Sequence, residues 1–144
     1  MTLSAKHLLL GFLAGAIATV TAHEIIALVL LKAGVFPRVP WPMTPAAMTG
    51  VPQFVSDMFW GGLWGALFAA IHASIPGDSL TIKGLIFGII GPAIIGVFIL
   101  VPLLTHRIPM FLGGDPKLIL SVLLILSGFG AAMGWIYGFL VKNT

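Results

Sequence analysis

The 144-residue chain contains no cysteine and very few charged residues. The absence of cysteine excludes disulfides, thiolate metal sites and redox-active thiols. Lysine, arginine, aspartate and glutamate together make up 8% of the residues, whereas soluble domains are about a quarter charged. So few charges cannot cover the surface of a soluble globule of this size. A soluble enzyme, a nucleic-acid-binding module and a disordered linker are therefore excluded.

Apolar sequence is what the chain has in abundance. Hydrophobic residues account for 59% of it, and the mean hydropathy is +1.15. Four apolar runs, at residues 8–31, 54–74, 84–105 and 118–141, are each close to the ~20 residues with which a helix crosses a bilayer. They lack the period-two alternation of membrane strands. We therefore predict one all-α domain over residues 1–144, an integral membrane bundle of four transmembrane helices surrounded by lipid.

The basic residues do not assign an orientation in the membrane. Three lysines lie on the side of the termini and the second loop, and four basic residues lie on the side of the first and third loops. The α-amino group brings the number of positive charges on the two sides to the same value. The rule that cytoplasmic loops are rich in Lys and Arg therefore does not assign the orientation. The first loop, at residues 32–53, is the longest and carries five prolines. We expect it on the outer side and both termini in the cytoplasm.

Glycines spaced four residues apart occur in all four runs. Such spacing lets helix backbones approach closely in lipid. The predicted packing glycines are Gly11, Gly15, Gly61, Gly65, Gly84, Gly88, Gly130, Gly134 and Gly138. The first and third runs share this pattern, as do the second and fourth. The chain is therefore either a duplicated helical hairpin or a set of glycine-rich helices that match by chance. Pro92 and Pro102 also predict a kink in the third helix.

Several short motifs together suggest a family. They are Trp60-Gly61-Gly62-x-x-Gly65 in the second run, Pro76-Gly77 and Lys83-Gly84 before the third, and Gly134-x-x-Tyr137-Gly138 in the fourth. In this order they resemble the small four-helix bacterial inner-membrane proteins of unknown function that include the YagU-like group. Such families often place a histidine near the start of an even-numbered helix, where this chain has Asp57. The resemblance implies a bacterial inner-membrane location and a four-helix fold, and it implies no chemistry.

The polar residues with chemical potential are His23, Glu24 and Asp57. Measured from the middle of each run, His23 and Glu24 lie roughly 4 to 7 Å toward the first loop, and Asp57 lies roughly 10 Å in the same direction. We expect the three side chains to meet in one leaflet, with His106 and Arg107 above them at the mouth. Intramembrane carboxylates and histidines suit a proton or ion relay.

Two other interpretations of these residues stay open. The first is structural: the His23–Glu24 pair forms a hydrogen bond, or a salt bridge to Arg38, to Arg107 or to a neighbouring subunit. The second is a copper(I) site, since thioethers and imidazoles suit that ion. The methionines on the same side are Met43, Met48, Met58 and Met110. Their spacing matches no metal motif, so we predict no metal and no cofactor. The chain also lacks a nucleophile elbow, a Walker loop and a His-Glu-x-x-His helix, which argues against an enzyme.

The first run carries small residues on one face and Glu24 on another. In a regular helix Glu24 points roughly 150° away from the face of Gly11, Gly15, Ala18 and Ala22. Because an unpaired carboxylate in hydrocarbon is costly, we expect both faces to require protein. The expected partners are other membrane subunits, or a second copy bound through helix one, and not nucleic acid.

These features favour a non-catalytic accessory or structural subunit of a larger membrane complex, energy-transducing or redox in kind. The alternative is a small transporter or channel for protons, ions or a solute that uses His23, Glu24 and Asp57. The sequence supplies only half of a polar pathway for this alternative, because the third and fourth runs contain no charged residue.

Overall fold

The computed structural model describes residues 2–144. It contains four long helices: α1 (Ala5–Lys32), α2 (Gln53–Ser74), α3 (Leu80–Thr105) and α4 (Pro116–Asn143). All four are long and apolar enough to span a membrane, and residues 2–144 include no β-strand. The predicted all-α bundle of four transmembrane helices is confirmed.

Three helices begin before the apolar runs because each starts at a polar cap. Ser4 and Ser79 accept hydrogen bonds from backbone N–H groups at the starts of α1 and α3, and Asp115 does so at the start of α4. A cap side chain satisfies N–H groups that have no partner within the helix. The apolar runs therefore underestimate the helices by the length of a polar first turn.

The first hairpin, α1 with α2, is held by glycines that bring the two backbones together. Gly11 lies against the carbonyl group of Gly65, and Gly15 lies against that of Gly61. A methyl group built on any of these four glycines would collide with the facing helix. The contact is the close backbone packing expected of glycines four residues apart in lipid.

The second hairpin, α3 with α4, repeats this contact. Gly84 and Gly130 face each other, Gly88 lies against the carbonyl group of Leu126, and Gly134 lies against that of Leu80. Gly138, also predicted to pack, is less tightly enclosed, because a methyl group there would meet only the Leu80 side chain. Both hairpins thus pack through glycines, with Gly15 against Gly61 in the first and Gly84 against Gly130 in the second. The duplication of the hairpin stays a prediction.

The hairpins join mainly through α1 and α4, whereas α2 and α3 approach each other closely only through side chains. The fully buried rings of Phe68 and Tyr137 meet in the core, with centroids 6.0 Å apart. Each ring follows the second glycine of its motif by three residues, so the two occupy equivalent positions in the hairpins. Phe129 and Met133, also buried, extend the core along α4.

The first helix of each hairpin departs from α-helical winding. The segments Thr19–His23 in α1 and Ile89–Leu100 in α3 are π-helical. The second contains the buried Pro92, which has no N–H to donate. The predicted distortion of α3 is thus present as a π-helical stretch, a structure often found at functional sites. In α1 the π segment ends directly before Glu24, and it rotates the rest of the helix relative to a regular one.

The N-terminal and C-terminal ends of the described chain lie side by side. The Lys6 ammonium donates a hydrogen bond to the Thr144 backbone oxygen over 2.6 Å. The first and third loops consequently lie together at the opposite end of the bundle. This agrees with the prediction that both termini are on one side.

Candidate functional site

The first loop folds back onto the bundle and carries an arginine into it. Backbone hydrogen bonds join Ala46 to Val51, Gln53 to Thr44, and Phe54 to Pro42, with N–O distances of 2.8 Å. These bonds tie the proline-rich segment to the start of α2. The loop is consequently an ordered cover over the ends of α1 and α2, which places the Arg38 side chain between these helices.

Glu24 lies at the centre of the polar cluster and is 1% exposed. The Arg38 guanidinium donates to both of its oxygens, with Nη1–Oε2 and Nη2–Oε1 distances of 3.0 Å each. The backbone N–H of Trp41 donates to Oε2 over 2.5 Å, and His23 Nδ1 lies 2.9 Å from Oε1. A bidentate guanidinium with a further backbone donor satisfies a carboxylate almost completely.

Asp57 joins the same cluster from α2. Its Oδ2 accepts a hydrogen bond from Arg38 Nη2 over 2.8 Å, and its Oδ1 accepts one from Gln53 Nε2 over 2.7 Å. The guanidinium therefore bridges the carboxylates of α1 and α2. With a neutral His23, the two carboxylates and the guanidinium carry one net negative charge. Arg38 therefore balances the charge of one carboxylate, and the remaining charge is shared with the partly exposed Asp57 side.

Trp41 holds the loop in place through two hydrogen bonds. Besides the backbone bond to Glu24, its indole Nε1 donates to the Val20 carbonyl group in the π-helical segment over 3.0 Å. Trp41 has a φ of 47°, a left-handed conformation that is unfavourable for a bulky residue. Such conformations persist where the surrounding structure fixes them, and here two hydrogen bonds to α1 do so.

The structure brings His23, Glu24 and Asp57 together at one end of the bundle. Of the partners left open for Glu24, it provides Arg38, from the first loop of the same chain. The π-helical turn before Glu24 makes this arrangement compatible with the glycine face of α1, which packs on α2.

His106 and Arg107, expected at the mouth of the site, are exposed and do not join the cluster. The Arg107 guanidinium lies 3.5 Å from the Pro45 carbonyl oxygen, a long contact with the first loop. The ion pairs in this cluster join Arg38 to Glu24 and to Asp57. Arg38 is thus the residue that sequence reasoning underrated. The pattern that could have indicated its role is a single arginine in the loop that follows a helix with one intramembrane glutamate.

The side chains around the polar cluster bear on the metal-site and relay hypotheses. Within the described residues, no three His, Asp or Glu side chains are placed to hold a metal ion. Below the cluster, the His23 ring packs against Phe129, with centroids 6.3 Å apart. Phe129, Met133 and Phe68 then fill the core toward the opposite end. The polar cluster is therefore closed off from the other leaflet by apolar side chains.

A second polar group, the Tyr137 hydroxyl, is buried near that opposite end. It has no hydrogen-bond partner among residues 2–144, and its ring lies 5.6 Å from that of His72. No sequence pattern singled out Tyr137 as a buried polar residue.

The comparisons with known proteins do not identify a relative. No family model, no curated protein and no solved structure matches the chain.

Proposed function

We propose that the protein is a non-catalytic accessory or structural subunit of a larger membrane complex, of an energy-transducing or redox kind. The observation that carries the proposal is the closure of the polar cluster. Both oxygens of Glu24 and both of Asp57 already accept hydrogen bonds from the chain itself. A carboxylate that relays protons or binds cations must exchange its partners, whereas these partners belong to a fixed loop.

The same contacts give the cluster a structural role. Arg38 joins α1 to α2 through Glu24 and Asp57, while Trp41 anchors the loop to the π-helical turn. Breaking a buried pair by removal of one partner costs roughly 3–5 kcal/mol, so the arrangement can fix the shape of one end of the bundle. A defined loop surface suits docking to another subunit.

The lipid-facing surface offers a second support. Phe59 and Trp60 lie edge to face on α2, with centroids 6.0 Å apart, and are 52% and 45% exposed. Aromatic side chains are enriched in protein interfaces. We infer that this aromatic face contacts the partner complex.

The alternative, a small proton, ion or solute transporter that uses His23, Glu24 and Asp57, receives less support. It requires a polar route through both leaflets. Phe129 and Met133 are 2% and 0% exposed and lie where such a route would continue. The Tyr137 hydroxyl beyond them has no hydrogen-bond partner among residues 2–144 that would connect it to the cluster.

We further propose a bacterial inner-membrane location, with both termini in the cytoplasm, and kinship with the YagU-like group. The family proposal is supported by the glycine motifs. The orientation is supported by the use of Arg38 in internal ion pairs. This pairing removes one positive charge from the surface on the side of the first loop. It therefore favours the side of the termini, with Lys6, Lys83 and Lys142, as the cytoplasmic one.

Co-purification from the native membrane tests the proposed role. The tagged protein, expressed at its natural level, is extracted in a mild detergent, and its partners are quantified by mass spectrometry. A four-helix membrane protein of similar size with the same tag is the control. We expect one set of larger membrane subunits in a fixed ratio to the protein and absent from the control. Recovery of the protein alone, with solute or ion flux after reconstitution, would favour the transporter instead.

A further inference from the structure

An apolar groove runs between α2 and α3, where the two hairpins leave a gap. Its volume is about 330 Å³, within the size range of small-ligand sites. It is lined by Trp64, Leu67, Ile71, Ser74, Ile86 and Ile95, among others. The ring of Trp64 lies edge to face against Phe87, with centroids 6.0 Å apart. Several lining side chains, among them Leu67, Ile90 and Ile95, are exposed on the outside of the bundle.

The length of the groove matches one leaflet of the bilayer. Trp64 and Ser74 line its two ends on α2 and are ten residues apart, or about 15 Å along a helix axis. The hydrocarbon core is about 30 Å thick, so its half-thickness is the same length. Trp64 lies near the middle of α2 and Ser74 at its end. The groove consequently extends from the interface to the bilayer centre, as an acyl chain does.

A positive charge lies at the interfacial end of the groove. The Lys83 ammonium donates one hydrogen bond to the His72 carbonyl group over 3.1 Å. This bond holds it near the end of α2 at which Ser74 lines the groove. No carboxylate of residues 2–144 forms an ion pair with Lys83. Asp78, the acidic residue in the same loop, is exposed. Two of the three ammonium protons of Lys83 stay available for an anionic headgroup.

We propose that this groove binds one acyl chain of an anionic phospholipid from the leaflet that contains the termini, with the lipid phosphate near Lys83. The groove supplies a chain-length apolar surface, and Lys83 supplies the headgroup charge. A lysine near a charged lipid surface contributes about 1 kcal/mol, which corresponds to a preference of about fivefold for anionic over zwitterionic lipid.

Quenching of Trp64 by brominated lipid tests the proposal. A variant with Trp64 as its single tryptophan is reconstituted with dibrominated phosphatidylglycerol or phosphatidylcholine, after circular dichroism confirms its fold. A variant with only Trp60, which is exposed on the same helix, reports on bulk lipid. We expect Trp64 to be quenched with an apparent affinity about fivefold higher for phosphatidylglycerol, and Trp60 to show no preference.

The headgroup contribution is separated by two matched lysine substitutions in the single-Trp64 protein. Lys83→Gln should abolish the preference, whereas Lys142→Gln, in the last turn of α4 at the same end of the bundle, should preserve it. An equal response of Trp64 to both lipids would overturn the proposal, as would a preference that survives Lys83→Gln. So would a Trp64 that neither lipid quenches, because the groove would then be covered by protein.

A second measurement avoids the tryptophan substitutions. Native mass spectrometry of the otherwise unchanged protein compares retention of phosphatidylglycerol and phosphatidylcholine at equal concentrations. We expect one phosphatidylglycerol to be retained preferentially, and the preference to fall about fivefold in Lys83→Gln. Equal retention by both proteins would contradict the proposed site.

Discussion

Replacement of Glu24 by glutamine tests whether the polar cluster holds the bundle together. The substitution keeps the size of the side chain and removes its charge. One of the two guanidinium bonds is lost, because the amide NH₂ group is itself a donor. This NH₂ group would face an N–H of Arg38 in either orientation, and the Trp41 N–H as well where it takes the place of Oε2.

The expected loss is about 2–4 kcal/mol in the free energy of unfolding. A hydrogen bond to a charged group contributes about 1.5–3 kcal/mol, and an unsatisfied buried donor costs about 1–3 kcal/mol. Removing one partner of a fully buried pair costs roughly 3–5 kcal/mol. Our range is lower because Arg38 keeps Asp57 as a partner and its side chain is 24% exposed. Asp57→Asn, at the more exposed carboxylate, should cost about 1 kcal/mol.

Unfolding in mixed detergent micelles measures these differences, with Asp115→Asn as the matched control. Asp115 is an exposed cap of α4, and asparagine caps helices equally well. A double-mutant cycle with Arg38→Gln should show a coupling energy of about 1–3 kcal/mol with Glu24→Gln. If Glu24→Gln unfolds no more easily than Asp115→Asn, the cluster does not stabilise the bundle and the structural role is wrong.

Two further substitutions test the packing of the bundle. Gly61→Ala places a methyl group against the Thr19 hydroxyl and the Gly15 backbone. It should lower the free energy of unfolding by about 1–3 kcal/mol in the same assay. Gly138→Ala, whose methyl group meets only the Leu80 side chain, should lower it less, and equal losses of stability would contradict the close helix contact. Tyr137→Phe removes a buried hydroxyl without a hydrogen-bond partner and should leave stability unchanged or raise it by about 1 kcal/mol; a loss of more than 1 kcal/mol would show that the hydroxyl has a partner in the membrane.

The sequence predicts the helices and their packing well because both depend on local patterns. Apolar length alone identifies the four spans, and glycine spacing identifies the faces that meet, as Gly15 and Gly61 show. The helix starts are displaced because caps such as Ser79 lie outside the apolar runs. These errors are small, since the helices begin only one to four residues before the apolar runs.

The interior of the candidate site is less accessible to sequence reasoning. Depth along each helix predicts that Glu24 and Asp57 lie close together, and Arg38 does bridge them in the structure. The direction of Glu24 is missed, because a regular 100° rotation cannot anticipate the π-helical turn at Thr19–His23. The coverage by Arg38 and Trp41 depends on how a proline-rich loop folds back, and no periodic pattern encodes that path.

Proton flux through reconstituted protein tests most directly the claim that the polar cluster is a closed structural clamp. Proteoliposomes containing a pH-sensitive dye are subjected to a potassium-diffusion potential, and the initial rate is compared for the wild-type protein, Glu24→Gln and protein-free vesicles. Our account predicts that all three rates are equal, because Glu24 is held by Arg38 and Phe129 closes the path below it. A flux above the protein-free rate that Glu24→Gln abolishes, in a variant shown to be folded, would contradict it.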